Sequence, residues 1–218
     1  MEIIDLYKPG TFDCIITDPP YGMNFQSNRA KDGHRHKKIE NDSTINHEWI
    51  GKSFDILHMG GGIVMFCNWA TSSKWEKHIT DYGFKIVSQA IWDRCFHGMG
   101  DLTGGFAPQH DVVWYATKGR RILPGSRPKS VMRFNRPMHQ QDNGHPTCKP
   151  VELMEYIVKH IANGWVLDPF MGSGSTGVAC KRLGVPFTGI EIDSDYFNTA
   201  KARIENQITY TGMMDTEG

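Results

Sequence analysis

The sequence predicts an α/β fold built on a doubly wound, mostly parallel sheet. Two observations carry that expectation: short apolar runs alternate with helix-patterned segments along the chain, and two of those runs end in an acid followed by proline. Strands that alternate with helices pair in parallel through right-handed crossovers.

Phe12 to Thr17 is a short Ile-rich run ending at Asp18 and reads as the first buried strand. Gly62 to Cys67, Lys85 to Trp92, Val112 to Thr117, Trp165 to Leu167 and Phe187 to Ile192 repeat the type. Helices are expected over His47 to His58, Ser73 to Asp81, Val151 to Ala162, Ser175 to Leu183 and Ser194 to Ile208. The last would be capped by Ser194 and carries Tyr196, Ala200 and Ile204 at four-residue spacing. Two long irregular stretches remain, 22–46 and 118–146, and loops of that length are usually functional or disordered. No internal repeat or low-complexity tract is present.

A chain of 218 residues fits one domain with a sizeable core, with basic loops inserted at about 22–46 and 118–144. The five cysteines form no CxxC pair, and the N-terminus lacks a basic-then-apolar signal segment, so a reducing, cytoplasmic compartment is expected. No apolar run approaches the roughly 20 residues of a membrane helix. The ten histidines include His34 and His36, and His145 three before Cys148, but no second ligand pair stands at zinc-like spacing, and no metal is expected. Trp69, Trp75, Trp92, Trp114 and Phe96 are expected in the core or at its edge.

Formal net charge is zero, yet the charge is sorted along the chain. Arg29, Arg35, Lys37 and Lys38 lie in the first irregular stretch; Arg120, Arg121, Arg127, Lys129, Arg133 and Arg136 lie in the second, where no acid interrupts 118–136. Such loops suit phosphate contact, although a solvated basic loop is the commoner meaning of any one of them.

Two motifs carry chemistry. In ITDPPYG, Pro19 and Pro20 each fix φ near −65° and remove a backbone donor, so the carbonyls that follow Thr17 have no ladder or helix to join. In VLDPFMGSGSTG, an acid ends a strand and a glycine-rich turn of GxGxxG spacing opens a helix, the geometry in which a backbone approaches a nucleotide. Glu191 follows at the tip of the next expected strand, where an acid can take both ribose hydroxyls. Each motif alone is as well explained by a stiff loop or a tight strand-to-helix turn. If the Asp18 and Asp168 strands are neighbours, both turns face one crevice beyond the carboxyl ends of the sheet.

ITDPPYG, HPTCKPVELMEYIV and VLDPFMGSGSTGVAC, in that order, resemble the circularly permuted beta class of amino-group DNA methyltransferases, and the resemblance covers nearly the whole chain. It implies a Rossmann-like fold using S-adenosylmethionine, which becomes S-adenosylhomocysteine, with no metal. It implies that Asp18, Pro19, Pro20 and Tyr21 form the catalytic turn. Asp168, Phe170, Gly172, Ser173 and Gly174 would line the methionine part of the cofactor, with Ser175 and Thr176 at the helix N-terminus and Glu191 on the ribose. Thr147 and Lys149 would sit near the cofactor's carboxylate, and Cys148 replaces a frequent Gln. Asp at the first catalytic position goes with adenine in this family, so the implied activity is site-specific methylation of adenine N6 in double-stranded DNA. A homodimer is expected because family members are often dimers.

The sequence departs from the pattern in two places. Only MEIIDLYKPG precedes the DPPY strand, so either Asp5 and its neighbours abbreviate the missing strand, or that side of the cofactor pocket is open or completed by a partner chain. The target-reading region is also short, from about 118 to 144. Cytosine-N4 or RNA methylation on the same fold, an NAD-type oxidoreductase and a catalytically silent nucleic-acid-binding module stay open beside the main reading. The late glycine turn argues against the oxidoreductase, and the intact DPPY against the silent module.

Overall fold

The computed structural model describes residues 2–20, 46–136 and 148–210. Seven strands form one sheet: β1 (Phe12–Thr17), β2 (Leu57–Cys67), β3 (Lys85–Asp93), β4 (His110–Thr117), β5 (Val131–Arg133), β6 (Val166–Asp168) and β7 (Phe187–Gly189). Their spatial order is β5-β3-β4-β2-β1-β6-β7, and β4 alone runs antiparallel to its neighbours. The carboxyl ends of the other six therefore share one edge of the sheet.

β1 is buried along its whole length because it is paired on both sides and covered on both faces, which is why it reads as an apolar run without alternation. Against one face, α1 (Glu48–Ile56) and α2 (Ser72–Asp81) pack Trp49, Ile50, Trp75 and Ile79 onto Ile15, Ile63 and Met65. Against the other, α3 (Val151–Ile161) and α4 (Ser175–Arg182) pack Leu153, Ile157, Ala179 and Cys180 onto Cys14, Ile16, Val64 and Phe66. β2 alternates between the two clusters, with Ile63 and Met65 on one side and Val64 and Phe66 on the other.

Several boundaries differ from the sequence expectation. α1 stops at Ile56, since Leu57 turns extended and opens β2; Lys118 Nζ donates to the carbonyls of Phe54 (2.7 Å) and Leu57 (2.8 Å), satisfying acceptors at that helix end. α5 (Ser194–Glu205) is capped by Asp193, whose carboxylate accepts from the N–H groups of Asp195 and Tyr196, so Ser194 is the first helical residue and not the cap. β5 was not expected. Three residues with basic flanks give no strand signal, and the segment is recruited beside β3, burying Met132.

A 3-10 turn at Glu2–Leu6 packs Ile4 into the first cluster, and Asp5 there bonds Lys52 of α1 at 2.5 Å. Among the described residues no strand lies beyond β7, and no helix is long and apolar enough to cross a membrane.

Candidate active site

The two acid–proline motifs end adjacent strands. β1 and β6 pair in parallel with Ile15 opposite Leu167, which brings Thr17 and Asp168 to the same edge of the sheet. There the Thr17 hydroxyl donates to Asp168 Oδ1 at 2.7 Å, while Thr176 Oγ1 donates to Oδ2 at 2.7 Å and the Phe170 N–H to Oδ1 at 3.1 Å. Asp168 is 3 % exposed. Burial pushes its carboxyl up to about 6, against the pull of those donors, and the nearby Asp18 charge adds to the rise.

Past Thr17 the chain enters the DPP turn, with Pro19 buried and Asp18 partly exposed. The Lys149 ammonium bonds Asp18 Oδ2. Lys149 stands just before α3 with its side chain 9 % exposed, and its ammonium lies 5.1 Å from the Phe66 ring centroid and 5.7 Å from that of Trp92. The resemblance assigns Lys149 to the cofactor's carboxylate; in the structure its ammonium bonds Asp18 of the DPP turn.

The glycine turn locks onto the same segment. Ser175 Oγ donates to the Lys149 carbonyl at 2.8 Å, and Cys148 Sγ lies 3.2 Å from the hydroxyls of both Ser173 and Ser175. Gly172 and Gly174 both take positive φ, +50° and +84°. A Cβ on Gly174 would come within 2.9 Å of Ala200 Cβ, and one on Gly177 within 2.3 Å of Ile204 Cδ1. The second and third glycines therefore seat α4 against α5. Glu191 closes the far side, accepting from Gly172 N and Asp193 N at 2.9 Å each, one per oxygen.

A cofactor with a cationic centre and a ribose fits this donor set. Asp168 Oδ2 and both Glu191 oxygens each accept one of the bonds above and retain capacity for another. Phe170, assigned to the same pocket, is half-buried with its ring edge-on to Trp49 at 5.2 Å. Tyr21 and Thr147 lie outside the described residues.

The DNA methylase family model, N6_N4_Mtase, matches residues 12–202, from the first residue of β1 into α5. The chain belongs to this family.

Among its relatives, the Type II methyltransferase M.HpaI of Haemophilus parainfluenzae is 29% identical over 231 residues, covering 92% of this chain and 70% of that one. M2.DpnII of Streptococcus pneumoniae is 26% identical over 236 residues, covering 94% and 86%. The crystal structure of the M1.HpyAVI–SAM complex superposes with a TM-score of 0.70 at 28% identity, covering 93% of this chain and 94% of that one. The cytosine-N4-specific PvuII DNA methyltransferase has a TM-score of 0.72 at 15% identity, a likeness of fold alone.

On this DNA methylase the basic residues of the second irregular stretch divide by position. β4 runs away from the site, so Lys118, Arg120 and Arg121 begin at the opposite edge of the sheet. The chain then returns along the α3 face, where Leu123 packs and Lys129 N donates to the Tyr156 hydroxyl at 2.8 Å, before β5 delivers Arg133 and Arg136 to the site edge. Arg121 corrects the expectation that it contacts phosphate. Its guanidinium bonds both Asp13 oxygens (2.9 and 2.8 Å) and the Gly60 and Ile161 carbonyls, with the side chain 5 % exposed. Arg127, Lys129, Arg133 and Arg136 are exposed, and Arg133 pairs with Asp93 at 3.2 Å. Arg29, Arg35, Lys37 and Lys38 lie outside the described residues.

The residues missed by sequence reasoning are those that join motifs: Thr17, Phe66, Trp92 and Arg203, which donates to the Ser173 carbonyl. Thr17 had a signal, being a hydroxyl at the end of an apolar run beside the first acid. Trp69 and Phe96 correct the expectation of burial, being 62% and 69% exposed; Trp75, Trp92 and Trp114 are buried.

Proposed function

We propose that this DNA methyltransferase acts on the exocyclic N6 of an adenine turned out of duplex DNA, with S-adenosylmethionine as the methyl donor. The observation that carries the reading is the Thr17–Asp168 hydrogen bond, because it joins the DPPY turn and the glycine turn at the end of neighbouring strands. One turn can then hold the base while the other holds the donor.

An exocyclic amine is a poor nucleophile because its lone pair is delocalised into the ring. The Asp18 carboxylate, anchored by Lys149, and the Pro19 carbonyl are two acceptors on one stiffened turn. Accepting the two amine hydrogens there draws the lone pair back onto nitrogen and aims it. The prolines hold the acceptors still, and Tyr21 is assigned the face on which the base stacks. After transfer, Asp18 is the acceptor positioned for the proton that the methylated nitrogen sheds.

Bound S-adenosylmethionine supplies an electrophilic methyl on a sulfonium. Asp168 would meet its cationic end and Glu191 its ribose hydroxyls, while the backbone of Gly172, Ser173, Gly174, Ser175 and Thr176 would approach it closely, with Thr147 near its carboxylate and Phe170 lining the pocket. Adenine is preferred to cytosine N4 because the turn begins with Asp. Arg127, Lys129, Arg133 and Arg136, with Arg29, Arg35, Lys37 and Lys38, would supply phosphate contacts, and Arg120 would contribute only if DNA reaches the opposite edge. A homodimer belongs to the same proposal.

The test is transfer from labelled S-adenosylmethionine to unmethylated genomic DNA, followed by sequencing that maps modified bases. N6-methyladenine at one short sequence is the expected result. Methyl on cytosine N4 would overturn the choice of base, and cofactor binding without transfer to DNA would overturn the DNA reading.

A further inference from the structure

We propose that the loop 94–109, between β3 and β4, is the wedge that enters the DNA duplex where the target base leaves it; this rests on the function proposed above. The loop carries four large apolar side chains in water: Phe96 (69% exposed), Met99 (69%), Leu102 (80%) and Phe106 (102%). None of the four is in either core cluster.

The exposure is built in. At the neck, Arg94 N donates to the Gln109 carbonyl at 3.0 Å, Gly98 N to the Pro108 carbonyl at 2.7 Å, and the Gln109 amide to Asp93 Oδ1 at 2.8 Å. Cys95 takes φ +57°, an unusual value for a residue with a Cβ, with its N–H on the same Asp93 oxygen at 2.9 Å, so the chain turns sharply just before Phe96. At the tip, Asp101 Oδ1 accepts from Thr103 N and Gly104 N, at 3.0 and 3.1 Å. A loop closed at neck and tip cannot readily fold its apolar side chains down, and such a display is unfavourable until something covers it.

Position argues that the cover is DNA. The loop leaves β3 at the site edge of the sheet, one residue after Trp92, whose ring faces the Lys149 ammonium that bonds Asp18. Its neck residue Asp93 pairs with Arg133 on β5, and exposed Lys129 and Arg136 flank that strand. Asp101 is the only acid in 94–109, and its carboxylate is turned onto the loop's own N–H groups. Apolar residues flanked by cations, next to a site that needs an unstacked base, match the way wedges part base steps. A second copy of the chain is a poorer occupant, because four side chains on a 16-residue loop fall short of the 20–30 residues a stable interface uses on each side.

The test compares methyl transfer to native and to heat-denatured genomic DNA by the wild type and by a Phe96→Ser/Phe106→Ser variant. Both positions are exposed, so the variant should fold, which an unchanged melting temperature would verify. The expected result is a fall of about tenfold or more in the native-to-denatured activity ratio, since extraction from a stack burdens the duplex most. An unchanged ratio overturns the wedge, as does conversion of a dimer to a monomer in sedimentation, which would make the loop a subunit contact. Wild-type protein that methylates neither form of DNA would overturn the proposed function, a result distinct from either.

Discussion

The ammonium of Lys149 sits on the carboxylate of Asp18, although 131 residues separate them in the chain. Lys149 reaches Asp18 past the rings of Phe66 and Trp92, so the pair is shielded on the lysine side and open on the Asp18 side, where the side chain is 25% exposed. A carboxylate tied to a buried ammonium is held in a fixed direction. Lys149→Ala should therefore lower methyl transfer by about 10²-fold, the scale associated with a misplaced reacting group, and change cofactor affinity little. Parallel titration of S-adenosylmethionine checks it. If affinity falls by the same factor as transfer, Lys149 serves the cofactor's carboxylate, as the family resemblance implies. Asp18→Ala should abolish transfer with the cofactor still bound.

Asp168 should make cofactor binding pH-dependent. Burial raises its carboxyl to about 6, so a carboxylate that ionises near 4 when unfolded keeps its proton longer in the native protein. In sign, this charge weighs against folding as pH rises from about 4 through 6, and a cation bound beside it favours the ionised form. Cofactor affinity should be full above pH 6 and fall by up to about tenfold per pH unit below it. Calorimetry at pH 5 and 7 reads this directly, and in Asp168→Asn the dependence should vanish. Equal affinity at both values in the wild type would mean that Asp168 organises the turn without meeting the ligand's charge.

What the sequence reveals follows how local each feature is. β1 and its terminal acid were legible because the strand is buried on both faces and a proline pair ends it sharply. The glycine turn was legible as a turn, but Gly174 and Gly177 owe their lack of side chains to α5, which packs from about 25 residues further on. Lys149 was assigned to the cofactor by the family resemblance and Arg121 to DNA by its basic neighbours; each bonds an acid more than 100 residues away. Ser194 lost the cap to Asp193 because both are good capping residues and the choice depends on where the preceding strand releases the chain. β5 could not be read at all, since its three residues become a strand only by joining the edge of β3.

The remaining exposed cations should govern the salt dependence of DNA binding. Arg127→Ala, Lys129→Ala and Arg136→Ala should each reduce the slope of log affinity against log salt by about 1, with loss across all sequences, as phosphate contacts do. Fluorescence anisotropy with one duplex at several salt concentrations is sufficient. A slope unmoved by all three would transfer the footprint to the first basic stretch.

Arg121 should behave differently from those cations, because its charge is inside the fold. Burial alone would raise the Asp13 carboxyl, but the Arg121 guanidinium, the Asn163 N–H at 2.7 Å and His58 at 3.2 Å outweigh burial and hold it below the ordinary carboxylate value. A depressed folded value means that the stabilisation is complete above about pH 4 and is lost as pH falls through the folded value. Asp13→Asn leaves the guanidinium without a counter-charge at a site where Asp13 and Arg121 are 8% and 5% exposed, and should destabilise by about 3 kcal/mol at pH 7. Arg121→Ala should do comparable damage while leaving the DNA salt slope intact, and urea unfolding beside anisotropy separates the two effects. Unchanged stability with a flattened slope would return Arg121 to the DNA-binding set.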